Sequence, residues 1–145
     1  PMDEHKFFSF GKNLVTFELD GHKCGIVICY DIRFCELVRS LALRGIDMLF
    51  MVSQWPLVRT SHIVTLTKAR AIENQMFVVC CNSCGKTPDA VFGGHSQIID
   101  PWGEVLEAAG EKQEVITADC DFGTIKDIRN SINVFNDRKP DLYEL

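Results

Sequence analysis

The run Ile26-Val27-Ile28 constrains this chain more than any other feature. Three β-branched residues in a row, preceded by Gly25, read as a strand buried on both faces, and such a strand belongs at the centre of a sheet. The run stops at Cys29, and from Glu36 to Arg44 the chain changes to good helix formers. Cys29 therefore sits near a strand-to-helix junction, where α/β enzymes place nucleophiles and where the amide ends of a nearby helix can activate a thiol. A buried, inert cysteine satisfies the same local pattern, so at this level both readings stand.

The pattern on either side fixes the fold class as α/β. Leu14 to Leu19 alternates apolar and polar, and Asp20-Gly21 signals a turn, so a hairpin feeds the central strand. Leu37, Val38, Leu41 and Ala42 fall at helical spacing, and Gly45 is placed as a C′ cap. Met48 to Val52 is a second continuous apolar strand, broken by Ser53-Gln54-Trp55-Pro56. Strand, helix, strand is the signature of a parallel crossover. Residues 59–74 lack Gly and Pro and carry Ile63, Leu66, Ala69 and Ile72 at helix-compatible intervals, with Thr60 or Ser61 near the N-cap. Met76 to Cys81 is a third buried strand, followed by a long loop over 82–95. Gln97-Ile98-Ile99 and Val105-Leu106 form a hairpin about Asp100-Pro101-Trp102-Gly103, Val115 to Ala118 adds a strand, and Asp121 caps a short helix through Arg129. Phe7, Phe8 and Phe10 are expected to pin the opening loop to the surface, and the polar tail from Ser131 to dock on another surface. The architecture is parallel at first, then increasingly antiparallel.

With 145 residues, the chain is one domain's worth. A net charge of -5 and the lack of a basic run exclude a nucleic-acid surface. No apolar stretch reaches the length of a membrane span, and the first residues lack a signal-peptide layout, so an intracellular, cytoplasmic location is expected. Seven cysteines, an odd number placed largely in buried-looking strands, fit reduced thiols better than a disulfide scaffold. Cys81-Asn82-Ser83-Cys84 is a CxxC, but it lacks the second matched pair that a structural zinc site uses. The chain does not begin with Met, and it reads as a piece of something longer.

Five ordered blocks carry a family pattern. Ile28-Cys29-Tyr30-Asp31-Ile32-Arg33-Phe34-x-Glu36-Leu37 resembles the nucleophile segment of the nitrilase superfamily of carbon-nitrogen hydrolases. Trp55-Pro56-x-x-Arg59-x-x-His62, Ala69-Arg70-Ala71-Ile72-Glu73-Asn74-Gln75, and Gly93-Gly94-His95-Ser96 with Asp100-Pro101-x-Gly103 resemble its second half. Asp137-Arg138-x-Pro140-x-Leu142-Tyr143 resembles the closing segment of its omega-amidase-like branch. The resemblance implies a four-layer α-β-β-α sandwich with a mixed sheet, of which residues 1–145 are the C-terminal half, in a homo-oligomer. It implies hydrolysis of small amides through a thioester on Cys29, with the backbone N–H of Tyr30 holding the oxyanion, and it implies no cofactor and no metal. The family's base Glu and its Lys lie upstream of this chain, so the missing N-terminal half is an expected partner and the isolated segment is expected to be weak or inactive. Glu4 stands where many members carry a supporting Glu. Cys35 departs from the family, which commonly has Pro there.

The remaining candidates are read residue by residue. Trp55 either walls the substrate pocket or fills the core. Arg33 either binds a substrate carboxylate or pairs with Asp31 or Glu73. Arg59, His62, Arg70 and Glu73 are expected along an exposed or subunit-facing side of the long helix, and His95 and Ser96 are expected to give the site backbone support. Two other classes compete: a non-catalytic binding or oligomerisation partner derived from the same fold, and a Cys-His enzyme pairing Cys29 with His62 or His95.

Overall fold

A computed structural model describes residues 3–143. Its main sheet has six strands: β1 (Thr16–Leu19), β2 (His22–Ile28), β3 (Met48–Ser53), β4 (Phe77–Asn82), β7 (Gln97–Ile99) and β8 (Val105–Ala108), in the order β1-β2-β3-β4-β7-β8. The three central strands are parallel and the flanking pairs antiparallel, so the sheet is mixed. Helices α1 (Cys35–Leu43) and α2 (Thr60–Asn74) cross over between the parallel strands. They pack on one face, where Val38, Leu41, Ile63 and Ala71 meet Val27, Leu49, Met51 and Val78 in one core. Gly45, at φ +80°, ends α1 where a side chain would be strained.

Among the described residues, the opposite face is covered chiefly at its lower corner. There α3 (Gly123–Ser131) sets Ile125 against Cys24, Met48 and Phe77. Above that corner Phe17, Ile28 and Val52 stay open, Ile28 at 63% exposure. A row of apolar side chains on a sheet face is what another layer covers in a sandwich.

Four expectations change. The loop over 82–95 contains a small hairpin, β5 (Cys84–Lys86) with β6 (Val91–Gly93). Residues 115–118 join no ladder among the described residues, and Val115 is 92% exposed. Phe7, Phe8 and Phe10 do not pin their segment; all three project into solvent. The buried side of α2 is not the apolar one: Thr67, Arg70 and Asn74 are buried with Ile63 and Ala71, while Ile72 is half exposed and lies over Gly103. Polar groups can turn inward there because most of their polar atoms find a partner, Asn74 Oδ1 excepted. Thr67 Oγ1 donates to the Ile63 carbonyl and accepts from Gln97 Nε2 at 2.5 Å, and Asn74 Nδ2 donates to the Arg70 carbonyl.

Candidate active site

Ile28, Val52 and Cys81 lie side by side in register at the carboxyl ends of β2, β3 and β4. In parallel sheets this edge is where ligands bind. Immediately beyond it, Cys29 takes φ +47°, a left-handed conformation that costs a non-glycine residue about 1 to 3 kcal/mol. The chain then tightens into a 3-10 turn over Cys29–Arg33 and continues into α1. The Ile28 backbone N–H donates to Asp31 Oδ2 at 3.0 Å, closing the turn on its own side chain. A strained residue lifted off a central strand at a helical start is the arrangement of a nucleophile elbow.

Arg70 secures the far end of the same turn. Its Nε and Nη2 both donate to the Ile32 carbonyl, at 3.0 and 2.9 Å, and Nη2 also reaches the Arg33 carbonyl at 3.3 Å. Nη1 donates to Glu73 Oε1 at 2.9 Å, and Arg39 Nη2 donates to the Glu73 carbonyl at 2.6 Å. Arg70 is 6% exposed, so it does not lie on the outer side of α2 as expected.

Arg33 pairs with neither Asp31 nor Glu73. Its guanidinium sits 4.7 Å from the Trp55 ring centre and 5.6 Å from that of Tyr30, both within cation–π range. Its Nη2 lies 3.3 Å from His62 Nδ1, which accepts in the tautomer protonated at Nε2. Among the described residues no carboxylate forms an ion pair with Arg33. Trp55 is 2% exposed, so it is a core aromatic that also carries Arg33 on its ring. Its backbone N–H donates to Asn82 Oδ1 at 2.7 Å and its indole to the Arg59 carbonyl at 2.8 Å. Asn82 Nδ2 in turn donates to the Gly94 carbonyl at 2.7 Å, and the Asn82 N–H donates to Ser96 Oγ at 2.9 Å. Asn82 thus ties the loop after β3 to the loop before β7. It had no periodicity to mark it, standing in a strand end between cysteines.

Other candidates fall outside this constellation. Glu4 is exposed in a 3-10 turn over Glu4–Lys6, with no hydrogen bond or ion pair to Cys29. His95 Nδ1 donates to the Gly93 carbonyl at 2.6 Å, and no hydrogen bond joins either His62 or His95 to Cys29 among the described residues. Cys35 is exposed at the first position of α1. Beside Cys29, burial pushes the Cys80 thiol up to about 12, with smaller contributions from Cys81 and Cys29. Among the described residues no three His, Cys, Asp or Glu side chains gather to hold a metal ion, and no helix is long and apolar enough to cross a membrane.

Known proteins carry the same pattern. The chain is 48% identical over 142 residues to a 2-oxoglutaramate amidase of Bacillus subtilis, an alignment covering 98% of this chain and 55% of that protein. The crystal structure of Saccharomyces cerevisiae Nit3, a member of branch 10 of the nitrilase superfamily, superposes with a TM-score of 0.87 at 30% identity over 94% of this chain and 51% of that one. A mutant amidase from Nesterenkonia sp. AN1, with the acetamide moiety of fluoroacetamide covalently added at its active-site cysteine, superposes at a TM-score of 0.83 and 25% identity, over 98% of this chain and 51% of that one. The chain spans about half the length of the curated relatives it matches. The nitrilase fold expected from the sequence is the fold observed. With the carbon-nitrogen hydrolase family model matching residues 1–130, the chain belongs to the carbon-nitrogen hydrolases.

Proposed function

We propose that this chain supplies the nucleophile and the substrate's carboxylate anchor to an amidase acting on small monoamides that carry a carboxylate. The observation that carries this reading is the placing of Cys29, strained in its left-handed turn, four residues before Arg33, whose guanidinium has aromatic neighbours and no carboxylate partner among the described residues. Such a group suits a ligand's carboxylate. The 2-oxoglutaramate amidase relative is named for a substrate of that class.

The chemistry follows from the geometry. The Cys29 sulfur attacks the amide carbon, forming a C–S bond and moving the carbonyl electrons onto oxygen. Tyr30 stands in the first turn of a 3-10 helix, where N–H groups lack intrahelical partners, so its N–H is free to hold that oxyanion. Collapse breaks the C–N bond, the nitrogen takes a proton and leaves as ammonia, and water cleaves the thioester to release the acid and the thiol. Among the described residues no side chain hydrogen-bonds to Cys29, and the resemblance to the family assigns the proton transfers to a Glu and a Lys of an N-terminal half. Its second sheet would cover the open face bearing Phe17, Ile28 and Val52. The enzyme then works in the cytoplasm as a homo-oligomer of complete domains, with Glu4 in a supporting place.

Ammonia release from succinamate by the intact protein tests this. Cys29→Ala should abolish turnover, and Arg33→Gln should raise KM for succinamate while leaving a neutral amide such as propionamide unchanged. Retained activity in Cys29→Ala overturns the nucleophile assignment. An equal effect of Arg33→Gln on both substrates overturns the anchor, and full activity of residues 1–145 alone overturns the divided site.

A further inference from the structure

Arg33 is held at both ends. Its carbonyl accepts from Arg70 Nη2 at 3.3 Å, and the preceding carbonyl, of Ile32, takes two further donations from Arg70, so the backbone from which the side chain springs is fixed. At the far end the guanidinium carbon lies 4.7 Å from the centre of the Trp55 ring. That ring is itself anchored: the indole N–H donates to the Arg59 carbonyl, the backbone N–H donates to Asn82 Oδ1, and the residue is 2% exposed.

An aromatic face fixes where a guanidinium lies but leaves it free to turn about its own carbon, because the ring attracts the charge and not any one N–H. That rotation decides which N–H groups of the fork face a ligand. His62 removes it. Arg33 Nη2 donates to His62 Nδ1 at 3.3 Å, which takes one N–H out of play and leaves the rest for a ligand. Arg33 is half-buried and His62 exposed, and none of the Arg33 nitrogens is among the buried, unpartnered atoms of the described residues, so the remaining N–H groups face solvent or a docked molecule.

Ring and acceptor belong to one frame. His62 stands in the first turn of α2, three residues after Arg59, whose carbonyl holds the Trp55 indole, and one before Ile63, which is fully buried in the core. The two contacts therefore keep their spacing while the guanidinium is turned between them. Among the described residues no carboxylate pairs with His62, and no hydrogen bond joins it to Cys29. Resting on the reading of Arg33 as the carboxylate anchor, we propose that His62 is a positioning residue for substrate recognition. It sets the rotation of the Arg33 guanidinium, and through it the preference of the site for amides that carry a carboxylate over neutral amides. It takes no part in proton transfer at Cys29.

Steady-state kinetics of the intact protein with succinamate and propionamide test this in Arg33→Gln, His62→Leu, His62→Asn and the double variant Arg33→Gln/His62→Leu. His62→Leu should raise KM for succinamate about three- to tenfold, the effect of losing one hydrogen bond from a charged donor at a partly exposed place. Its kcat on succinamate and its kcat/KM on propionamide should stay within about twofold of the parent. Asn presents an acceptor oxygen near the position of Nδ1, so His62→Asn should recover most of the loss. Because His62 acts only through Arg33, adding His62→Leu to Arg33→Gln should change nothing further. His62 is exposed, so these variants should fold, which thermal melting checks, and His62→Ala replaces His62→Leu if the apolar side chain aggregates. The inference fails, and the anchor stands, if Arg33→Gln raises KM for succinamate alone while His62→Leu does nothing, acts equally on both amides, or adds in full to Arg33→Gln. An equal effect of Arg33→Gln on both amides overturns the anchor and this inference with it.

Discussion

Replacing Arg70 with Met removes the brace under the Cys29–Arg33 turn while keeping an unbranched stem in the core. The side chain makes three donations to the Ile32 and Arg33 carbonyls and one to Glu73, and it is buried to 6% exposure. Stranding two buried carbonyls costs about 1 to 3 kcal/mol each. Relief of the buried guanidinium's desolvation offsets part of that, and a net loss of about 3 kcal/mol is expected. With an m-value of about 2 kcal/mol/M, the urea midpoint should fall by about 1.5 M. Cys29 should also lose activity beyond the loss of folded protein, because the turn that aims it is no longer held. Arg70→Lys restores the charge without the fork that reaches both carbonyls, and should recover only part of either quantity. A stability change below about 1 kcal/mol with kcat/KM within about twofold of the parent would refute the idea that Arg70 holds the turn.

Thr67→Val leaves Gln97 Nε2 without its 2.5 Å acceptor inside the core and should cost about 1 to 3 kcal/mol by denaturant titration, whereas Thr65→Val on the exposed side should cost little. Cys80, held neutral by burial with its thiol pushed from an ordinary 9.0 up to about 12, binds its proton more tightly folded than unfolded. Its contribution is therefore complete below about pH 9 and is lost as pH rises toward 12, with a slope approaching about 1.4 kcal/mol per pH unit; Cys80→Val should show a shallower alkaline loss, and identical profiles would count against the assignment. Gly103 sits at φ +90° with Ile72 where a Cβ would lie, so Gly103→Ala should destabilise by about 1 to 3 kcal/mol, measured by thermal melting.

What could be read in the sequence, and what could not, divides by whether a residue's partner is close in the chain. The parallel strands, α1 with its Gly45 cap and the Asp100–Gly103 turn announce themselves through local pattern. Asp100 Oδ1 accepts from the N–H groups of Trp102 and Glu104, a wholly local device. The buried side of α2 was hidden because apolar spacing counts Thr67, Arg70 and Asn74 as solvent-facing. Their burial depends on Gln97, Ile32 and Arg33, which only the fold brings near. Thr60 misled for a local reason: its hydroxyl donates back to the Leu57 carbonyl and does not cap α2. Asp121 falls one residue short of the cap position, which Phe122 takes, although its Oδ1 accepts from the Gly123 N–H at 2.9 Å. Cys29 was legible as a junction residue, but its left-handed backbone and the unpaired state of Arg33 were not, since both depend on how the turn closes.

The backbone at Cys29 also bears on how such a protein changes over generations. Glycine is the residue the left-handed turn prefers, so Cys29→Gly should yield a protein about 1 kcal/mol more stable than Cys29→Ala. A lineage released from the demand for a thiol would be free to drift toward glycine at this position, at the cost of the contact Cys29 makes with the core. The cysteine is thus an occupant that the left-handed backbone disfavours, and the proposed chemistry gives a reason for keeping it there.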